Sequence, residues 1–131
     1  MLKYVRKRFD LKVDQRLASV SALFELDKDI KQILGIMLTS DREDLLYYRG
    51  TQKIEIDKVE YFPENFESKL LMCGINVTPS KRYYDLENVS AGSGRINVLF
   101  KDNENALASS FTPYRVSFYF LCALESHESK C

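Results

Sequence analysis

The chain has 131 residues and a mass of 15.2 kDa, which predicts one domain over 1–131 with a core large enough to need no disulfide or metal. Hydrophobic residues make up 45% and charged residues 29%, a globular composition that excludes a collagen, a coiled coil, a disordered chain and a disulfide-rich miniprotein. Nineteen Lys and Arg balance nineteen Asp and Glu, so the net charge does not attract the whole protein to nucleic acid or to an anionic membrane.

The N-terminal segment 1–8 is basic, and we expect it to form an arm outside the main fold. Its cations are Lys3, Arg6, Lys7 and Arg8. An alternating polar sequence follows instead of an apolar run, so no secretory signal peptide is predicted. Four cations within six residues are compatible with contact to nucleic acid or an acidic partner, but a solvated arm is the expected interpretation.

Apolar and polar side chains alternate along the next part of the chain. This period of two predicts half-buried strands over 9–14 and 17–26. A turn is expected at 27–29, and a further apolar strand follows over 30–38. We expect 17–26 and 30–38 to pair as a hairpin, with Gly35 marking a bulge or a close approach of two backbones.

The middle of the chain predicts one short helix between strands. Ser40 and Glu43 have the spacing of a capping box, so a helix of one or two turns is expected over 41–46. Alternation resumes over 51–57, and a change of parity predicts a bulge or a tight turn at Asp57 and Lys58. Pro63 predicts a break in the chain. We then expect a strand over 67–77 and an irregular segment over 78–94.

The C-terminal third contains the two clearest strands. Residues 95–100 and 116–124 alternate strictly, with a polar loop over 102–110 between them. The apolar segment 116–124 is about half as long as a membrane span, so we expect no membrane-spanning segment. Residues 126–131 are polar, and we expect a flexible tail there.

Short strands separated by turn residues predict an all-β fold. We expect a single-domain antiparallel β-sandwich with at most one short helix. The long connections near 78–94 and 101–113 favour a Greek-key or jelly-roll order over a meander, and we expect a jelly roll. The order of the strands stays open, as does the distinction from an immunoglobulin-like sandwich.

The three cysteines are Cys73, Cys122 and Cys131. Their odd number and wide spacing argue against a disulfide framework and against a zinc site. Cys73 and Cys122 lie in apolar runs and are expected in the core. This cysteine usage favours a protein made and kept in a reducing cytoplasm.

No group of residues predicts catalysis, a cofactor or a metal. The single histidine, His127, lies in the polar tail, where no rigid element would hold it as a base. The acidic clusters at 27–29 and 41–44 lack the spacing of a calcium loop. Gly92-Ser93-Gly94 lacks the lysine and the following helix of a phosphate loop. We therefore expect a protein that is not an enzyme.

Two tyrosine pairs, each beside an arginine, are the candidate binding residues. Adjacent residues of a strand point to opposite faces, so one tyrosine of each pair is expected to meet solvent or a partner. Tyrosine and arginine anchor many protein interfaces, and tyrosine rings also stack on sugars. The candidate interface residues are Tyr47, Tyr48, Arg49, Arg82, Tyr83 and Tyr84.

Five segments together resemble the small jelly-roll structural proteins of tailless bacteriophages. They are Gly35-Ile36-Met37-Leu38-Thr39-Ser40-Asp41, Leu45-Leu46-Tyr47-Tyr48-Arg49-Gly50-Thr51, Ile54-Glu55-Ile56, Phe62-Pro63-Glu64-Asn65-Phe66-Glu67 and Tyr114-Arg115-Val116-Ser117-Phe118-Tyr119. The resemblance implies a jelly roll, a homopentameric ring at a capsid vertex, and contacts with a major capsid protein and a spike protein. It also implies that the arm 2–8 runs along the capsid interior and that the loops 39–50 and 78–94 face partners.

The first functional hypothesis is therefore a virion structural protein, a penton or minor capsid subunit, made in the host cytoplasm. Its mechanism would be burial of aromatic and aliphatic side chains between subunits. The alternative is a non-enzymatic carbohydrate-binding or receptor-binding β-sandwich. A third hypothesis is a cytosolic adaptor that binds peptides by strand addition at an exposed sheet edge.

Overall fold

The structure is a computed structural model that describes residues 2–72, 83–108 and 110–125. Its elements in chain order are β1 (Leu2–Val13), β2 (Ser19–Glu25), β3 (Ile30–Ser40), α1 (Glu43–Arg49), β4 (Gly50–Ile56), β5 (Val59–Glu67), a 3-10 helix (Ser68–Leu71), β6 (Tyr84–Ser90), β7 (Arg95–Asp102) and β8 (Tyr114–Glu125). The strands form two four-stranded antiparallel sheets, so the predicted all-β sandwich with one short helix is confirmed.

The core lies between the inner faces of the two sheets. β7 places Ile96, Val98 and Phe100 in the core and turns the residues between them outward, as the alternation predicts. In β8, Phe118 and Cys122 are fully buried, which confirms the predicted core position of Cys122. The segment around Cys73 lies outside the described residues.

The strand orders are β1-β8-β3-β6 in the first sheet and β2-β7-β4-β5 in the second. The neighbouring pairs include β1 with β8, β2 with β7, β3 with β6 and β4 with β5, so the two strand numbers of each of these pairs add up to nine. β1 and β8 pair along their whole length, from Leu2 opposite Glu125 to Val13 opposite Tyr114. The two ends of the described chain are therefore adjacent strands of one sheet.

The predicted hairpin between 17–26 and 30–38 is wrong, because β2 and β3 lie in different sheets. Each of the two strands buries one face. That face is buried equally well whether the strands are neighbours in one sheet or lie in opposite sheets of the sandwich. The rings of Phe9 in β1 and Phe24 in β2 stack at 4.7 Å between centroids and join the two sheets here. Hydrophobic alternation alone does not distinguish these arrangements.

The predicted N-terminal arm is also wrong. Residues 2–8 belong to β1, a 12-residue strand whose inward side chains include Phe9, Leu11 and Val13. The alternation recognised over 9–14 extends towards the terminus, with Val5 partly buried against the core. The charged residues between these positions hid that pattern. The predicted tail 126–131 lies outside the described residues.

The helix begins later than the capping-box spacing predicts. α1 starts after Arg42, and no side chain caps it. The Ser40 hydroxyl instead donates to the Arg115 carbonyl oxygen at 2.6 Å, and the Asp41 carboxylate accepts the Arg115 N–H at 2.8 Å. These contacts hold residues 40 and 41 against β8, so helical structure begins only at Glu43.

The region 59–90 differs most from expectation. β5 continues through Pro63, which an edge strand tolerates because its outer N–H groups need no partner. The strand expected from residue 67 is a 3-10 helix over Ser68–Leu71, and the rest of that expectation lies outside the described residues. Within the expected irregular segment 78–94, β6 forms at Tyr84–Ser90.

Two predicted backbone features are confirmed. Asp57 and Lys58 both have positive φ, 51° and 68°, and form the tight turn between β4 and β5. At Gly35 the register between β3 and β6 shifts, and an added Cβ would lie 2.8 Å from the Tyr83 Cβ. Gly35 therefore marks both a bulge and a close backbone approach.

Candidate functional site

A buried ion pair at the end of α1 involves one of the predicted interface residues. The Arg49 side chain is 3% exposed and that of Asp102, the last residue of β7, is 0% exposed. Arg49 donates from Nε to Asp102 Oδ1 at 3.0 Å and from Nη2 to Oδ2 at 2.8 Å. This two-point geometry is the strongest that a guanidinium and a carboxylate make.

The Asp102 carboxylate accepts two further hydrogen bonds. The Tyr114 hydroxyl donates to Oδ1 at 2.7 Å, and the Leu17 N–H donates to Oδ2 at 2.9 Å. Arg49 also donates to Glu104 at 3.3 Å, and its guanidinium lies 5.4 Å from the centre of the Phe111 ring. The cluster thereby ties α1, β7, β8 and the loop after β1 together.

The environment of this cluster shifts two pKa values in opposite directions. Burial alone would raise the pKa of Asp102, but the hydrogen bonds from Arg49, Tyr114 and Leu17 outweigh it and lower the pKa below 3.8. Burial and the adjacent carboxylate raise the pKa of Tyr114. Asp102 therefore stays charged and Tyr114 neutral at physiological pH, a structural arrangement with no lone pair left for a substrate. The structure therefore buries Arg49 in this cluster, whereas the sequence placed it among the candidate interface residues.

The tyrosines next to Arg49 do reach the surface. Tyr47 and Tyr48 on α1 are 45% and 39% exposed, and their rings meet edge to face at 4.9 Å. The Lys69 ammonium of the 3-10 helix lies 5.8 Å from the centre of the Tyr47 ring, and the next residue, Leu70, is 54% exposed. We call Tyr47, Tyr48, Lys69 and Leu70 the α1 patch.

The second predicted tyrosine pair lies elsewhere. Tyr84 is exposed on β6, and its ring meets Phe62 of β5 edge to face at 5.6 Å. Tyr83 is partly buried against Gly35. Arg82 lies outside the described residues. Among the described residues, no contact between aromatic rings joins this pair to Tyr47 or Tyr48, so the structure does not bring the two pairs together.

The four N-terminal cations are divided between two faces of β1. Arg6 and Arg8 lie on the outer face, whereas Lys3 and Lys7 share the alternation of the core-facing residues. Arg8 pairs with Asp10 at 2.9 Å and lies over the Tyr119 ring, while Lys7 pairs with Asp27 at 2.5 Å. They do not form a single basic surface that would follow a phosphate backbone.

Two surface depressions accompany these features. A polar cleft of about 390 Å³ lies beside Arg49 and includes Arg16, Glu104 and Phe111. A groove of about 320 Å³ lies on the outer face of β2, β7 and β4, and we call it the outer groove. It is lined by Ser21, Ala22, Leu23, Lys53, Glu55, Asn97, Val98 and Leu99.

The described residues contain no group of three or more His, Cys, Asp or Glu side chains placed to hold a metal ion. None of the helices in the same ranges is long and apolar enough to cross a membrane. The Cys122 thiol is buried, and burial raises its pKa to about 11, which keeps it protonated.

Sequence reasoning missed Asp102 and Tyr114 as partners of Arg49. Asp102 follows Arg49 by 53 residues, and its sequence position looks like the start of a polar loop. A weak signal existed, since Asp102 continues the alternation of Ile96, Val98 and Phe100. A carboxylate at a core-facing position requires a buried cation, and that requirement would have suggested a search for one.

Comparisons with known proteins assign no family to the chain: no family model, no curated protein and no solved structure matches it.

Proposed function

We propose that the protein is a structural subunit of a virus particle, a capsid vertex or minor capsid protein, that acts by binding other protein subunits. The strand order carries this proposal. The eight strands lie in two sheets with the orders β1-β8-β3-β6 and β2-β7-β4-β5. This order is the one expected of a jelly roll and supports that fold. Jelly rolls occur in viral capsid and lectin domains, so the viral assignment rests on analogy of fold and on the sequence resemblance.

The α1 patch supports an assembly role. Tyr48 and Leu70 expose apolar surface at positions where their side chains contribute little to the core. Covering such surface is favourable by about 25 cal/mol per Å² before the costs of association. Tyrosine also loses little conformational entropy on binding, which suits it to anchor an interface.

The arrangement of the same residues does not favour the carbohydrate-binding alternative. Tyr47 and Tyr48 lie at 80° to each other and therefore offer no shared flat platform for a sugar ring. The outer groove contains no aromatic side chain. A glycan array with the purified chain tests this alternative directly, and we expect no binding.

Light scattering over a range of protein concentrations tests the proposed function. We expect a discrete ring of about five subunits, the closed cyclic oligomer that the resemblance implies. The double variant Tyr48→Ser/Leu70→Ser should weaken that assembly. Val59→Ser is the matched control, because Val59 is 51% exposed at the start of β5, at the opposite end of that strand from the 3-10 helix that carries Leu70. A ring unaffected by the double variant, or a chain without any ring, would contradict the proposal.

A further inference from the structure

Within residues 2–72, 83–108 and 110–125, the two sheets have four edge strands, β1 and β6 in the first sheet and β2 and β5 in the second. An edge strand presents unpaired N–H and C=O groups, which pair readily with a strand of another molecule. Proteins usually prevent this with charged side chains, proline or bulges on the edge. The four edges differ in these protective features.

Three of the edges are protected. β1 has charged side chains along most of its length, including Arg6, Arg8 and Lys12. β5 contains Pro63 and pairs with β4 through two shifts of register. β6 contains a bulge against β3, with Asn88 at a φ of 71°.

β2 has none of these features. It pairs with β7 over seven consecutive residues without a shift of register. It contains no proline, and its only charged residue is Glu25, at the end of the strand. The sequence of the strand is Ser19-Val20-Ser21-Ala22-Leu23-Phe24-Glu25.

The hydrogen bonds at both ends of β2 show which backbone groups point to the open edge. The Asp102 N–H donates to the Ala18 carbonyl oxygen at 2.9 Å, and the Leu26 N–H donates to the Gly94 carbonyl oxygen at 2.8 Å. Because bonded residues alternate in an antiparallel pair, the even-numbered residues of β2 bond to β7. The odd-numbered residues direct their N–H and C=O groups outward, and their side chains lie on the exposed face. These residues are Ser19, Ser21, Leu23 and Glu25.

We propose that the β2 edge pairs with the β2 edge of a second copy of this chain, antiparallel and about a two-fold axis at Ala22. In this register Ser19 lies opposite Glu25 of the second copy, and Ser21 lies opposite its Leu23. Every outward N–H and C=O group of the four odd-numbered residues then has a partner. The two second sheets become one continuous eight-stranded sheet.

Side-chain size supports a second copy as the occupant. Leu23 is 49% exposed and borders the outer groove. In the proposed register it lies beside Ser21 of the second copy, whose cross-strand neighbour in β7 is Leu99. Ser21 is small, so Leu23 reaches across it to Leu99 and enters the outer groove of the second copy. The same contact occurs twice around the two-fold axis.

Charge supports the same occupant and the same register. Glu25 lies opposite Ser19 of the second copy, and the neighbour of Ser19 in β7 is Lys101. Glu25 of one copy and Lys101 of the other then lie in one row across the sheet, two strand spacings or about 10 Å apart, and both long side chains extend over the small Ser19 to meet. Among the described residues, neither Glu25 nor Lys101 forms an ion pair within the chain. Placing Ser21 opposite Ser21 would leave Glu25 beyond the paired region.

This pairing uses a surface separate from the α1 patch and does not rest on the viral assignment. A two-fold contact gives a dimer by itself, or joins two rings if the α1 patch forms rings. The effects of substitutions on the two surfaces therefore distinguish the failure of one proposal from the failure of the other.

Light scattering of the wild-type chain and of Leu23→Lys tests the pairing. The lysine introduces like charges beside the axis and leaves the core intact, because Leu23 faces solvent. We expect it to halve the mass of the wild-type assembly. Val59→Lys, at a residue of similar exposure (51%) on β5 at the opposite edge of the same sheet, should leave the mass unchanged. A wild-type monomer of 15.2 kDa at all concentrations, or an unchanged mass for Leu23→Lys, overturns the pairing.

Charge reversal and cross-linking test the register. Glu25→Lys should raise the dissociation constant about tenfold, the scale of one interfacial ion pair, and Glu25→Lys/Lys101→Glu should restore it. Ala22→Cys should form a covalent dimer on mild oxidation, because directly opposite residues without hydrogen bonds lie about 4.5 Å apart between Cα atoms. The wild-type chain under the same oxidation controls for the native cysteines. Absence of both the rescue and the cross-link overturns the proposed register.

Discussion

At the scale of single residues, the best-defined feature of the molecule is the buried Arg49–Asp102 pair. Its neighbours in the sequence, Tyr47 and Tyr48, are exposed, so three consecutive residues divide between core and surface. Because α1 is only seven residues long, its last turn decides which of them points inward. The ion pair is satisfied on all sides, which explains why a charged residue is tolerated there.

Removing Arg49 should be far more costly than removing a surface arginine. Arg49→Ala leaves the Asp102 carboxylate buried without its cation, and we expect the free energy of unfolding to fall by about 3–5 kcal/mol. Arg16→Ala is the control, because its ion pair with Glu104 is exposed and should be worth about 1 kcal/mol or less. Urea unfolding followed by circular dichroism measures both. Equal losses for the two variants would contradict a structural role for the buried pair.

The same cluster should make the free energy of unfolding decrease at acidic pH and again at alkaline pH. The pKa of Asp102 is lower in the folded chain than the unfolded value of about 3.9, so its contribution is present above that pH and is lost as the pH falls below it. The pKa of Tyr114 is raised, so its contribution is present below about pH 10 and is lost above it.

Urea unfolding measured at a series of pH values checks both decreases. Asp102→Asn should reduce the acid dependence, and Tyr114→Phe should reduce the alkaline dependence. Each variant should change its own limb more than the opposite one, which changes only in part because Asp102 and Tyr114 shift each other's pKa through their shared hydrogen bond. A slope that neither variant alters would assign the pH dependence to other groups.

At the scale of elements, the contact between β3 and β6 depends on a position without a side chain. A Cβ at Gly35 would lie 2.8 Å from the Tyr83 Cβ and 3.1 Å from the Tyr84 carbonyl oxygen. Real Cβ atoms do not approach a neighbour so closely, so any larger residue must move β6 outward. The bulge that the sequence predicts at Gly35 is thus required by the chain beside it.

We expect Gly35→Ala to reduce the free energy of unfolding by about 1–3 kcal/mol through overpacking. Tyr83→Gly removes the nearest clashing atom, so the cost of Gly35→Ala should be smaller in that background. A double-mutant cycle by urea unfolding measures the difference. Simple additivity of the two substitutions would contradict the close-approach explanation.

At the scale of the whole molecule, the sandwich is closed by pairing its two ends. β1 lies against β8 from Leu2 to Val13, although more than a hundred residues separate the paired segments. Phe9 stacks on Phe24 of the opposite sheet and meets Phe120 of β8 edge to face. The inner face of the first strand is therefore part of the core and contacts both sheets.

Deleting residues 2–8 separates a structural strand from a dispensable arm. The deletion removes half of β1, exposes the edge of β8 around Cys122 and should lower the unfolding midpoint strongly or prevent folding. Lys3→Ser/Arg6→Ser removes charge but keeps the strand, and it should change stability little. Thermal unfolding followed by circular dichroism compares them. A truncated chain as stable as the full one would show that residues 2–8 form a dispensable arm and not a structural strand.

Strand identity was predictable wherever one face of a strand is buried and the other meets water. The alternation over 95–100, the turn at Asp57 and Lys58, and the bulge at Gly35 all follow from neighbouring residues. They are local consequences of backbone sterics and of burying one face. The strand hidden by cations in residues 2–8 and the edge strand through Pro63 were missed, because charge and proline obscure the same local signal.

Only the tertiary structure shows which strands lie side by side and which side chains pair. An apolar face at Phe24 or Ile36 is buried equally well by several arrangements of the strands, so burial does not select which strand lies beside it. Likewise, Arg49 and Asp102 are 53 residues apart, and nothing near either one specifies the other. The order of strands, the buried ion pair and the open β2 edge all depend on contacts between distant segments, and the free energy of those contacts is realised only when the whole sandwich closes.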